Sequence, residues 1–82
     1  MTLGSLLERL DRSFPEIIYK TVVNLPDEGY KDISIGSCYY SHYPFPKLEP
    51  LDKKDYSFDD EIYDYVVTNE TLIVWYRTER IK

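Results

Sequence analysis

Apolar side chains recur along this chain in two periods, one helical and one strand-like. Leu3, Leu6, Leu7, Leu10 and Phe14 fall at helical spacing, while Glu8, Arg9 and Arg12 take the opposite face. Thr2 stands where an N-cap accepts free backbone N–H groups. Pro15 disfavours helix in the residue before it. The spacing predicts a helix over 2–13, its stripe packed on a sheet of the same chain. From Ile17 to Leu25 the chain turns β-branched and reads as a strand. Ile17, Tyr19, Thr21 and Val23 share one face, and Ile18, Lys20, Val22 and Asn24 the other. Pro26-Asp27-Glu28-Gly29 is a turn by its proline and closing glycine. A second strand follows over 31–40, half polar on one face as suits a solvated face or an edge, with Gly36 at a bulge or bend.

Pro44, Pro46 and Pro50 make 43–56 an irregular stretch, with Phe45, Leu48 and Leu51 spaced to pin a long loop to the core. Ser57-Phe58-Asp59-Asp60 resembles a capping box, so one short helical turn is expected near 58–63. Strands over 65–68 and 71–78 form a C-terminal hairpin around Asn69-Glu70, and the second of them is apolar on both faces near its start, as in a central strand. The expected architecture is a single α+β domain over 1–82, with an N-terminal helix on an antiparallel sheet of about four strands.

Length and composition narrow the function. The chain has 82 residues, 15 acidic against 10 basic side chains, a net charge of -5, and 9 tyrosines. It is too short for two ordinary domains and too apolar for disorder by composition. No run approaches a membrane span, and no basic segment followed by an apolar one opens the chain as a secretory signal does. A cytoplasmic protein is therefore expected. One cysteine makes no internal disulfide.

Catalytic signatures are missing from the sequence. Gly4, Gly29 and Gly36 are isolated, so there is no phosphate-binding loop. Cys38 and His42 lie about 13 Å apart on an extended strand, too far for a nucleophilic pair unless the chain bends. Paired carboxylates can do glycosidic or metal chemistry, but the calcium-loop pattern is absent and acids this close in sequence usually share one solvated surface. No catalytic residue, metal site or cofactor is assigned, and the expected action is binding.

Charge placement carries the most functional information. From Asp55 to Glu70 the acids are Asp55, Asp59, Asp60, Glu61, Asp64 and Glu70, and no lysine or arginine intervenes. Tyr56, Phe58, Tyr63 and Tyr65 are interleaved with them. An array of carboxylates on a rigid domain imitates the phosphates of a nucleic acid and fits a groove lined with lysine and arginine. Tyrosines supply flat contact area of low entropy cost. The candidate partner-binding residues are Asp55, Tyr56, Asp59, Asp60, Glu61, Tyr63 and Asp64, joined by Tyr43 and Phe45 from the proline-rich stretch. Direct nucleic-acid binding is disfavoured by the same carboxylates and by scattered basic residues.

Two stretches resemble known sequences. Thr2-Leu3-Gly4-Ser5-Leu6-Leu7-Glu8-Arg9-Leu10 is similar to the N-terminal helix, and Ile62 to Tyr76 to the terminal hairpin, of small uncharacterised proteins encoded by bacteriophages and mobile elements of Gram-positive bacteria. The resemblance implies a phage or prophage origin and action inside a bacterial host. It assigns no role to individual residues. Small acidic phage proteins of that kind include anti-CRISPR proteins and other inhibitors of host defence, several of them DNA mimics. The expected function is thus a non-enzymatic inhibitor or host-interaction protein, monomeric or homodimeric. Its expected partner is a host protein with a basic nucleic-acid-binding surface, in the sharpest form a CRISPR effector nuclease. Alternatives are an immunity protein or antitoxin against a basic toxin, and a self-assembling structural module.

Overall fold

The leucine stripe becomes an eight-residue helix, α1 (Leu3–Leu10), in a computed structural model that describes residues 1–27 and 29–76. Thr2 is its N-cap, with Oγ1 accepting from the Ser5 N–H at 3.2 Å. The next free donors are used differently: the Leu3 N–H donates to the Asp60 carbonyl and the Gly4 N–H to the Phe58 carbonyl, both at 2.8 Å. The helix stops at Leu10 rather than 13 because Asp11 turns left-handed (φ 54°, ψ 44°) and its N–H closes onto the Leu7 carbonyl. Phe14 keeps helical spacing in sequence, yet it is buried as the first residue of a strand.

Five strands follow among the described residues: β1 (Phe14–Leu25), β2 (Gly29–Ser41), β3 (Lys47–Pro50), β4 (Ile62–Val67) and β5 (Thr71–Tyr76). They form one sheet in the order β3-β2-β1-β5-β4. The expectation of about four antiparallel strands is corrected in number and in kind. The fifth strand is β3, and the sheet is mixed because β1 and β5 run parallel, from Glu16 opposite Thr71 to Lys20 opposite Trp75. With one short helix among the described residues, the arrangement is α+β. β5 lies inside the sheet between β1 and β4, as its two apolar faces predict. Residues 77–78 of the strand expected over 71–78 lie outside the described residues.

The loop expected over 43–56 is interrupted by β3, which pairs with β2 from Cys38 opposite Pro50 to Ser41 opposite Lys47. Pro50, its last residue, is tolerated there because an edge strand uses one side of its backbone only. Near Gly36 the β1–β2 ladder slips: Tyr19 faces Gly36 and Lys20 faces Ser34, which leaves Ile35 as the extra residue.

The helical turn expected near 58–63 is absent. Residues 58–59 form a turn, and β4 begins at Ile62. The capping contacts are nevertheless made: Asp59 N–H donates to Ser57 Oγ at 3.1 Å, and Ser57 N–H to Asp60 Oδ2 at 3.0 Å. The chain does not continue as helix: the Ile62 N–H, which a helical turn would aim at the Phe58 carbonyl, donates to the Met1 carbonyl at 2.8 Å, while the Phe58 carbonyl takes the Gly4 N–H.

The core lies between α1 and one face of the sheet. It contains Leu3, Leu6, Leu7, Phe14, Ile17, Tyr19, Cys38, Tyr40, Ile62, Leu72 and Val74. Side chains in the 51–60 segment, notably Tyr56 and Phe58, pack against the same cluster. The opposite face carries Ile18, Lys20 and Val22 from β1 and Ile73 and Trp75 from β5, none of them fully buried. There the Trp75 indole donates to Asp32 at 3.1 Å, with the Lys20 ammonium 6.0 Å from its ring centroid.

Candidate functional site

The acidic segment leaves β3, crosses the core side of the sheet and becomes β4 at the sheet edge. Its path is set by two phenol–carboxylate pairs. Tyr56 donates to Asp52 Oδ2 at 2.6 Å, and Tyr19 donates to Asp60 Oδ2 at 3.0 Å. The two rings meet edge-on with centroids 4.7 Å apart. Asp52 also accepts from the backbone N–H groups of Ser37 at 3.1 Å and Lys54 at 2.9 Å. The Lys54 ammonium donates to the Ile35 carbonyl. Gly36 is needed beneath this lid, because a Cβ there would overlap the Tyr56 hydroxyl and lie 2.7 Å from Asp52 Oδ2.

These contacts leave an electrostatic signature. The Tyr56 hydrogen bond, then that of the Lys54 backbone N–H, holds the Asp52 carboxyl below its usual range. Burial first, and the adjacent carboxylates second, push the Tyr19 and Tyr56 phenols above theirs. Burial, with Asp52 and Asp60 adding to it, pushes the Cys38 thiol up to about 12. Its thiolate is thereby disfavoured. The His42 ring is engaged elsewhere, with Nε2 2.9 Å from Asp11 Oδ1 and Nδ1 3.1 Å from the Tyr40 hydroxyl. The structure therefore does not bring the Cys38 and His42 side chains together.

The candidate residues fall into three groups. Asp60 and Tyr56 have their polar atoms committed inside the protein, the first to Tyr19 and the Ser57 N–H, the second to Asp52. Asp55, Asp59, Glu61, Asp64 and Tyr63 are exposed along the loop and the start of β4, with Tyr63 at 52 %. Glu61 pairs with the Met1 ammonium at 3.3 Å, and a shallow depression lined by Met1, Glu61, Ile62 and Tyr63 lies beside it. Tyr43 and Phe45 are widely open, 83 % and 78 % exposed in the β2–β3 connection. They sit at the other end of α1. Its N-cap Thr2 bridges to Glu61, whereas its C-cap Asp11 meets His42, and an eight-residue helix separates the two ends by about 12 Å. The aromatic turn and the acidic edge are thus not one patch.

Sequence reasoning missed Asp52, the residue that organises the loop. Its signal was present as an aspartate two residues before Lys54 and four before Tyr56, the spacing of a local turn that accepts backbone N–H groups.

The edge of β4 is guarded. Thr68 N–H donates to the Thr71 carbonyl at 2.9 Å, which fixes the alternation of the ladder. By that alternation the backbone groups of Tyr65 and Val67 point away from β5. Asp64 Oδ1 accepts from the Tyr65 N–H at 2.8 Å. One residue earlier a bulge disturbs the strand, since Ile62 faces Tyr76 and Asp64 faces Trp75. Before that, the Met1 carbonyl takes the Ile62 N–H at 2.8 Å. A carboxylate, a bulge and a terminal strap are each ways of blunting a sheet edge.

Protein-family models, curated proteins and solved structures contain no match to this chain. Among the described residues no helix is long and apolar enough to cross a membrane, and no group of three or more His, Cys, Asp or Glu side chains is placed to hold a metal ion.

Proposed function

We propose that the protein is a non-enzymatic inhibitor that binds, through its acidic edge, a protein surface built to handle nucleic acid. The observation that carries this reading is the charge of the 55–76 segment: six acidic residues and no lysine or arginine, within a chain whose net charge is -5. Asp55, Asp59, Glu61 and Asp64 are exposed on it, and Tyr63 adds an open ring to the same stretch. The loop is held by Tyr19–Asp60 and Tyr56–Asp52, so the carboxylates are presented on an ordered scaffold and little ordering entropy is spent on binding. Carboxylates so placed meet lysines and arginines that otherwise contact phosphate.

The resemblance of the two end segments to phage-encoded proteins gives the sharpest form of the proposal, an anti-CRISPR protein in a bacterial cytoplasm that acts on an effector nuclease. An immunity protein covering a basic toxin would present the same surface. The test is retention of basic nucleases from a bacterial lysate on the immobilised protein, washed at rising salt. Retention at low salt, release as salt rises, and loss in a variant carrying Asp55→Asn, Asp59→Asn, Glu61→Gln and Asp64→Asn are the expected results. Salt-insensitive retention, unchanged in that variant, overturns the charge-based reading. Asp60 is left intact because its carboxylate holds the fold.

A further inference from the structure

We propose that the outer edge of β4 accepts an extended basic peptide as a sixth strand of the sheet, with Asp64 as the gate. This rests on the reading above that the partner is basic, and adds how part of that partner is held. Among the described residues β4 and β3 are the two edges of the sheet. β3 has four residues, ends in Pro50 and begins with Lys47 paired to Glu49 at 2.8 Å, so it offers little template. β4 has six residues, no proline and no basic side chain, and Val66 and Val67 are both exposed. Its outward backbone groups are those of Tyr65 and Val67. Among the described residues nothing takes the Val67 N–H, and the Tyr65 N–H is held only by its neighbour's carboxylate.

That carboxylate decides what can dock. An incoming main chain must take the Tyr65 N–H from Asp64, and a lysine or arginine on the incoming strand does so by drawing the carboxylate to itself. An apolar strand leaves the gate shut. An acidic strand meets Asp64, Glu61 and Glu70 with like charge. A second copy of β4 is disfavoured for the same reason, because antiparallel pairing about a two-fold axis brings two sets of these acids onto one short edge. The occupant that fits is a segment of alternating basic and apolar residues. Its basic side chains lie on the open face with Asp64, and its apolar ones lie on the core side with Tyr65 and Val67.

The experiment uses the whole protein and a short peptide of alternating lysine and valine, with binding read by fluorescence anisotropy and amide exchange by NMR. Three comparisons accompany it: the same peptide with alternate amides N-methylated, a glutamate–valine peptide, and a Val67→Pro variant, which removes an outward N–H but no bond to β5. The expected result is binding of the lysine peptide with slowed exchange at Tyr65 and Val67. N-methylation then weakens it about tenfold or more, the loss of two or so backbone hydrogen bonds, Val67→Pro weakens it about fivefold, the loss of one, and the glutamate peptide fails to bind. Equal binding of the N-methylated peptide, or unchanged exchange at Val67 in the bound state, overturns strand addition while leaving the charge-based reading intact. Failure of the lysine peptide to bind even at low salt also overturns strand addition, and the lysate experiment then judges the charge-based reading separately.

Discussion

The Tyr19 hydroxyl donates to the Asp60 carboxylate at 3.0 Å, joining the middle of the central strand to a residue 41 positions later in the acidic loop. One carboxylate of the acidic run is therefore an internal fastening. Asp60→Ala leaves a buried phenol without its acceptor and frees the Ser57 N–H, at an expected cost of about 2–3 kcal/mol. Asp59→Ala, one residue away and exposed, is expected to stay within about 0.5 kcal/mol of the parent. Urea unfolding of the two variants makes the comparison, and equal effects would refute the distinction.

Gly36→Ala places a methyl group where the Tyr56 hydroxyl now sits. Tyr56 must lift off Asp52, and the expected loss is about 1–2 kcal/mol. In a Tyr56→Ala background the same substitution should cost little, since the obstacle is gone. A double-mutant cycle reads the difference as a coupling energy.

Alkaline pH should unfold the protein earlier than its acidic composition suggests. The Cys38 thiol is pushed up to about 12 from an ordinary 9.0, and the Tyr19 phenol is raised from 10.0, in both cases chiefly by burial. Above these ordinary values the unfolded chain releases protons that the folded chain retains. Stability is therefore full below pH 9 and falls as pH rises toward 12, at up to about 1.4 kcal/mol per pH unit for each group. Urea midpoints measured across this window should decline, and in Cys38→Ala the onset should move from near pH 9 to near pH 10. A flat profile up to pH 11 would contradict the burial of both groups.

Asp64→Val removes the cap on the Tyr65 N–H and the charge beside it. The expected outcome is concentration-dependent self-association through β4, seen by sedimentation velocity. If the variant associates no more than the parent, the bulge and the Met1 strap suffice to protect the edge.

Much of the frame is legible in the residues, and the misses have identifiable causes. Leu3, Leu6 and Leu7 mark the buried stripe of α1 because a helix with a single packed face has no other way to be written. Its end at Asp11 is hidden, since an aspartate in left-handed geometry lacks the sign a glycine would give. β3 is invisible because Pro46 and Pro50 speak against a strand, yet Pro46 lies just before it and Pro50 ends it at the sheet edge, where a missing N–H is harmless. The absent helix at 58–63 shows local capping chemistry overruled at long range, because the Ile62 N–H goes to the Met1 carbonyl and the Phe58 carbonyl to the Gly4 N–H. In the acidic segment, composition finds the run of charge. It cannot separate Asp59, which faces solvent, from Asp60, whose partner Tyr19 is reached only through the tertiary fold.

The parallel pairing of β1 with β5 has a consequence for how the chain acquires its shape. β1 and β2 are sequence neighbours and can meet by closing a tight turn, but β1 must wait for residues 71–75 before its second flank is covered. Closing so large a loop is entropically slow, and until it closes Ile17 and Tyr19 lack the strand that carries Leu72 and Val74 beside them. During synthesis the early half can form a ribbon and a nascent helix, while the closed sheet must await emergence of β5 from the ribosome. The last of the described strands to be made is the one that covers the second flank of β1.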